Sequence, residues 1–503
     1  MHRGLIKNKA AAQPRSIIAS FHRALWLVAL TLLLSYTAHA GDRPNVLFIL
    51  TEDQGQHLSY LNTPGLETPN MDRIASSGVY FTRAYCSYPV CSAAKAALFT
   101  GHYGSTTGLV DNTQNFFVPA NKLTDAQRKS KVYSRIRIAD RFPTLIEILK
   151  HKGYHLAVSG KLHLSPNEKF PYDEWFRVAS RDRVGKMITA AKAADKPFFF
   201  LCNIQAPHRP YRNSDNETIG VDPSEVELPA FLPDTPVIRK DWAEYLDYCE
   251  VADQRIGAAL KALEDHGVMD NTLIVLMGDH GPAYHRGKMS LYQFGLNVPL
   301  AFSGPGVPEG VKTDALFAGV DMMPTLLDLI GIKPAKTTGL SLADAVRGKA
   351  DAKERKHVFG LIAHQAQLTD KGMQERSVFD GRWKLIFRNS TTKPRTVNSD
   401  LKYWLLELPD GRKLGWRNRV YDEIVKRKKE FPDAYRMLAE IDNKSLSGVL
   451  ENYELYDTLN DPDEFKNLAK DPAHRSELRR LKAALRQWVQ RTDGRFLDSK
   501  AIR

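Results

Sequence analysis

The sequence predicts an α/β fold, a mainly parallel sheet flanked by helices, followed by a smaller C-terminal α+β domain. Five short, continuously apolar runs carry the first part: Asn45–Leu50, His155–Ser159, Pro197–Ile204, Thr272–Met277 and Val298–Phe302. Runs of this length bounded by polar residues read as strands buried on both faces. Helical stretches separate them, and strands alternating with helices make a parallel sheet. A third observation concerns function. Four of the runs are followed at once by Asp, Glu, His or Lys, and open α/β sheets hold ligands at the carboxyl ends of their strands.

Taken in order, the chain opens with Arg3, Lys7, Lys9, Arg15 and Arg23, then the apolar stretch Ala24–Tyr36 and Ala38-His39-Ala40. A positive region, an apolar core and an A-x-A site predict a secretory signal over residues 1–40, cut after Ala40. The mature protein is then exported, periplasmic or extracellular. The apolar stretch is shorter than the ~20 residues a spanning helix needs, so no stable membrane insertion is expected. Residues 41–348 form the expected catalytic domain. Its helices include Pro143–Lys150, Pro236–Leu263 and Asp321–Ile330, each with a proline near its start. Residues 349–503 read differently. His357–Ile362, Arg376–Phe379 and Trp383–Arg388 are short strands around an Asp380-Gly381 turn. The strongly basic Arg412–Glu430 reads as a solvated excursion, and Arg475–Arg491 as a terminal helix.

Composition narrows the function classes. With 503 residues, 43% hydrophobic and 26% charged, the chain is neither disordered, collagen-like nor a polytopic membrane protein. Its net charge of +13 suggests nucleic acid, but five of those charges fall before residue 40, where no acid occurs. The remainder carries +8, and no helix-turn-helix, zinc-finger or RNP pattern accompanies it, so nucleic acid is not an expected partner. Four cysteines, Cys86, Cys91, Cys202 and Cys249, are too few for a disulfide scaffold even in an oxidising compartment. Buried small side chains or a single disulfide are the expected fates, with Cys202 inside a strand. Cys91 stands apart.

The strand ends supply Thr51-Glu52-Asp53-Gln54, Gly160-Lys161-Leu162-His163, Ala206-Pro207-His208-Arg209 and Gly278-Asp279-His280-Gly281. Glu52, Asp53 and Asp279 are hard oxygen ligands suited to Ca²⁺ or Mg²⁺. His280 widens the choice to Mn²⁺ or Zn²⁺. A cation among them would act as a Lewis acid on an anionic group. Lys161 and Lys288 could clamp the remaining oxygens, while His163 and His208 move protons. The target this chemistry fits is a phosphate or sulfate ester.

Cys91 supplies the nucleophile. It precedes the helix-favouring Ala93–Phe99, and a helix N-terminus stabilises a thiolate or another anion. Here the sequence resembles the formylglycine-dependent sulfatases of the alkaline phosphatase superfamily. Their nucleophile motif is Cys-x-Pro-x-Arg followed by an apolar pair, Thr and Gly, which Cys91, Leu98, Phe99, Thr100 and Gly101 match. The resemblance continues at Gly153–His163, at Asp279-His280-Gly281, and in the tail at Glu454-Leu455-Tyr456-Asp457 and Asp461-Pro462-Asp463-Glu464 with Asn467-Leu468. It spans essentially the whole mature chain.

The resemblance implies an alkaline phosphatase-like fold and roles for individual residues. Cys91 would be oxidised to formylglycine by a maturation enzyme, and the aldehyde hydrate would attack sulfur. His163 matches the residue that removes the proton of the second hydroxyl, His208 the acid for the leaving group. Lys161 and Lys288 match the residues that hold sulfate oxygens, and Glu52, Asp53, Asp279 and His280 the ligands of a divalent cation, usually Ca²⁺. Three positions depart from the pattern. Ala93 replaces proline, a variant accepted by radical-type maturases. Lys95 replaces arginine, exchanging a planar fork of donors for a point charge. Glu52 replaces the commoner aspartate. The stretch Pro229–Pro236, Arg239, Pro207-His208-Arg209 and Arg486-Gln487-Trp488 resemble the N-sulfoglucosamine sulfohydrolase branch. A sulfated carbohydrate is the implied substrate, with Arg209 binding it. Three other readings stay open on the sequence: a phosphomonoesterase or phosphodiesterase of the same superfamily, a glycan-binding protein whose Cys91 is never converted, and Cys91 attacking directly as a thiolate.

Overall fold

The computed structural model describes residues 43–211, 220–334, 336–363, 373–391, 399–407, 413–492 and 496–502, besides Met1. The signal sequence expected over residues 1–40 lies outside them, apart from Met1. No helix among the described residues is long and apolar enough to cross a membrane.

Eight strands form the main sheet, in the order Glu174–Phe176, His155–Ser159, Phe198–Ile204, Asn45–Thr51, Thr272–Gly278, Leu300–Ser303, Gly78–Phe81 and Val311–Thr313. All pairings are parallel except those of Leu300–Ser303, which runs antiparallel to both neighbours. The central strand Asn45–Thr51 lies between Phe198–Ile204 and Thr272–Gly278, so the polar residues that follow all three emerge side by side. Its seven residues are fully enclosed, because each face has its own core. Val46, Phe48 and Leu50 belong to one apolar cluster, Leu47 and Ile49 to the other, as the two-residue period of a strand requires. The first cluster takes in the helix Cys91–Thr100. The second takes in Arg181–Ala193 and the long helix Pro236–Asp265.

A second sheet of four antiparallel strands follows, ordered Val358–Ile362, Glu375–Phe379, Trp383–Arg388 and Tyr453–Asp457. The helix Arg475–Thr492 buries Leu481, Leu485, Trp488 and Val489. Trp488 stacks on Phe359 and meets the edge of Tyr103, both at 4.9 Å between ring centroids. The two sheets thereby share one continuous core.

Arg412–Glu430 is not the solvated excursion that its charge suggests. Residues 408–412 lie outside the described set, but Arg419–Lys426 is a helix capped by the side chain of Asn418. Val420, Tyr421 and Ile424 are buried in a cluster with Trp242, Tyr245 and Leu246 of the long helix. The apolar positions recur at helical spacing inside a basic run, so one face packs while the charges point outward.

Candidate active site

The nucleophile helix is built from small residues. All ten positions of Cys91–Thr100 are buried, and the four alanines let it lie close against the sheet, where Phe99 reaches Phe48. Gly101, in the left-handed region at φ 66°, ends it. Cys91 is the first helical residue, at the positive end of the dipole. Its Sγ lies 3.3 Å from His280 Nε2 and 3.5 Å from Lys161 Nζ. Burial alone would push the thiol up, but Lys161 and then Lys288 outweigh it and bring the pKa down to about 6. All four cysteines are buried and none forms a disulfide.

Asp53 sits in the left-handed region at φ 58°, which aspartate tolerates better than most side chains. The turn aims its backbone N–H at Asp279 Oδ1, 2.9 Å away. Asp53 Oδ1 lies 3.5 Å from His280 Nε2. Donor atoms of Asp53, Cys91, Asp279 and His280 all fall within 4.8 Å of one another. Asp279 Oδ2 is buried without a hydrogen-bond partner among the described residues. Burial pushes Asp279 up to about 8, while Asp279, Cys91 and Asp53 together raise His280 to about 9 against the effect of its own burial. An enclosed carboxylate oxygen with nothing to bond, among donors this close, fits a divalent cation.

Glu52 is not part of that group. Its carboxylate is taken by two cations and an amide of the protein: Lys95 and the Asn203 amide (Nδ2, 3.1 Å) donate to Oε1, and Lys161 Nζ to Oε2 at 2.9 Å. Burial would raise its pKa, but Lys161, Lys95 and His208 hold it well below the usual range. In this structure the Glu52 carboxylate is thus the counter-ion of Lys95 and Lys161. Gly160 makes the Lys161 turn feasible. It has φ +69°, and a Cβ there would meet Asn203 O at 2.2 Å.

Lys288 lies on the other side. Its Nζ is 2.9–3.0 Å from both oxygens of Asp53, 3.2 Å from His208 Nε2 and 2.8 Å from Asp400 Oδ2. His208 Nδ1 meets the Arg209 carbonyl oxygen at 2.5 Å. Donation there leaves Nε2 as the atom facing the site. His163, at φ 53°, bonds the Thr113 carbonyl through Nε2 at 2.6 Å, and its Nδ1 is buried without a partner among the described residues. Burial, then Lys161 and Lys95, hold its pKa well below the ordinary value, so it is neutral.

The structure therefore gathers Cys91, Lys95, Lys161, Lys288, His208, Asp53, Asp279 and His280 at one edge of the sheet. Arg209 is turned away. Its guanidinium is buried, paired with both oxygens of Asp241 and bonded to the Ala283 carbonyl, with Tyr211 and Tyr284 on its faces. It anchors the loop that carries His208 and does not line the site, which corrects the substrate-binding expectation. Sequence reasoning missed Asn203 and Asp400. Asn203 is the last residue but one of a predicted strand and was there to be read; Asp400 lies in a stretch with no motif.

A buried cysteine at a helix N-terminus, a cluster of donors that fits a cation, and two lysines beside them are the groups that hydrolysis of an anionic ester calls for. Residues 44–332 match the sulfatase family model, and the chain belongs to that family of sulfate-ester hydrolases. It is 28% identical to an ulvan-active sulfatase of Formosa agariphila, over 89% of this chain and 75% of that one. It is 26% identical to human N-sulphoglucosamine sulphohydrolase, over 89% and 90%. The fold is that of a solved glycosaminoglycan 2-O-sulfatase, with a TM-score of 0.64, 23% identity and coverage of 92% and 96%.

Proposed function

We propose that this protein is an exported sulfatase that removes sulfate from a sulfated carbohydrate, with a formylglycine made from Cys91 and one divalent cation, Ca²⁺ fitting best. One observation carries the reading: Cys91 Sγ stands at a helix N-terminus within 3.5 Å of both Lys161 and His280, so position 91 lies where anion clamp and cation site meet. The names of its sulfatase relatives support a carbohydrate substrate. Ala93 favours a radical-type maturase, and the pattern of residues 1–40 favours export.

Formylglycine hydrate would supply the attacking oxygen, and a cation held by Asp53, Asp279 and His280 would supply positive charge beside it. The chain's own residues do the rest. Lys161 and Lys288, both kept charged by the carboxylates and Cys91 around them, hold the sulfuryl oxygens as negative charge builds on them. His208 delivers a proton from Nε2 to the leaving oxygen or nitrogen. His163, neutral and with Nδ1 unengaged, accepts the proton whose removal expels sulfate.

The deciding experiment is peptide mass analysis across Cys91 after co-production with a radical-type maturase, joined to turnover of aryl sulfate, aryl phosphate and N- and O-sulfated glucosamine. Conversion with sulfate release supports the reading. An unconverted cysteine in a protein that still binds sulfated glycan replaces it with the binding-protein reading, and preference for phosphate replaces it with the phosphatase reading.

A further inference from the structure

The C-terminal segment delivers an acid to the leaving-group side of the site. Asp400, on the short helix Ser399–Lys402, is 5% exposed, too enclosed to be a surface charge. Its Oδ2 lies 2.8 Å from Lys288 Nζ and 3.7 Å from His208 Nε2. Asp53, His208 and Asp400 surround the Lys288 ammonium, which is within hydrogen-bond distance of all three. Burial opposes a charged Asp400, but Lys288 and His208 hold its carboxyl well below the usual range.

This placement is built from several directions. Asn418 donates its side-chain amide to the Asp400 carbonyl at 3.1 Å and its backbone N–H to the Lys402 carbonyl. The same Asn418 caps the helix Arg419–Lys426. That helix is tied to the long helix by Arg419, which pairs with Glu244 and approaches Asp241 at 3.4 Å. Asp241 is also the partner of Arg209, next to His208. The segment that brings Asp400 and the loop that carries His208 thus share one anchor.

We infer that Asp400 is a positioning residue for hydrolysis: it shares the Lys288 ammonium with Asp53 and holds the Lys288–His208 contact on the leaving-group side. Two cations this close, once His208 carries the proton for the leaving group, need an anion between them and the solvent. Without Asp400, Lys288 is left with Asp53, a residue the cation also needs. The inference rests on the sulfatase reading.

The test compares wild type with Asp400→Asn, which keeps shape and loses charge, and Asp400→Glu, which keeps charge, using an activated aryl sulfate and a sulfated sugar with a poor leaving group. Asp400→Asn should lower kcat on the poor leaving group by about 10-fold, less than the ~10²-fold or more expected from losing the acid itself. The activated ester should change far less, KM little, and Asp400→Glu should recover part of the loss. Equal loss on both substrates, or none, overturns the inference. If wild type releases sulfate from neither substrate, the sulfatase reading falls, and crystal structures decide the positioning separately. Displaced Lys288 and His208 side chains in Asp400→Asn support it; unchanged ones overturn it.

Discussion

Lys95 and Glu52 form an ion pair in which neither side chain is exposed to solvent. One comes from the nucleophile helix, the other from the turn after the central strand. Each is also a departure from the sulfatase pattern, a shorter cation facing a longer acid. Lys95 also donates to the Lys161 carbonyl at 3.1 Å, which links this pair to the clamp.

The pair should therefore behave as a unit. Lys95→Arg alone adds bulk where nothing yields, and Glu52→Asp alone leaves Lys95 short of its acid. Each should lose sulfate release, and the double variant should lose less than the two losses combined. A coupling of about 0.5–3 kcal/mol is expected for residues in direct contact. Turnover normalised to the converted fraction at Cys91 measures it, and simple additivity would show that the exchanges are independent.

Metal dependence follows from the orphaned oxygen of Asp279. Chelation should abolish hydrolysis and Ca²⁺ should restore it, whereas Asp279→Asn should weaken metal binding measured directly by calorimetry. Glu52→Gln should leave the metal stoichiometry intact, because its carboxylate is occupied by lysines. Loss of metal from that variant would return Glu52 to the ligand set.

His208→Ala should slow poor leaving groups by about 10²-fold or more and activated aryl esters much less, since the latter scarcely need a proton. The dependence of rate on leaving-group pKa checks this. His163→Ala should instead act after the leaving group has gone, so that sulfated enzyme accumulates in a single turnover.

Arg209→Met tests whether that residue binds substrate or supports the fold. Breaking a buried ion pair by removing one partner costs about 3–5 kcal/mol, and Arg419 and Tyr284 remain beside Asp241 to soften the loss. Urea unfolding should show a destabilisation of about 3 kcal/mol at the low end of that range. KM of the folded fraction should stay near wild type.

Much of this was legible because strand ends are local signals. The runs around Leu50, Ser159, Ile204 and Met277 locate the edge, and the residues after them are the ones found there. Orientation was not legible. Glu52 and Asp53 are neighbours with the same chemistry, and only the left-handed turn at Asp53 and the reach of Glu52 send one towards the cation site and the other to the lysines. Arg209 was expected to bind substrate because Asp241, its partner, is 32 residues away and carries no motif. Asp400 belongs to no motif at all. Its role depends on a helix whose buried face is hidden within a basic run.

The central strand has a consequence for how the chain folds. Asn45–Thr51 is the first strand of the main sheet to be synthesised, yet its two partners are Phe198–Ile204 and Thr272–Gly278. Pairing over such separations closes long loops before it returns any stability, so assembly is slow and leaves apolar edges open meanwhile. A nascent chain halted before residue 272 holds Glu52 and Cys91 but cannot seat the central strand on both sides. The cation-site turn after the central strand is therefore completed only once residues 272–278 are in place.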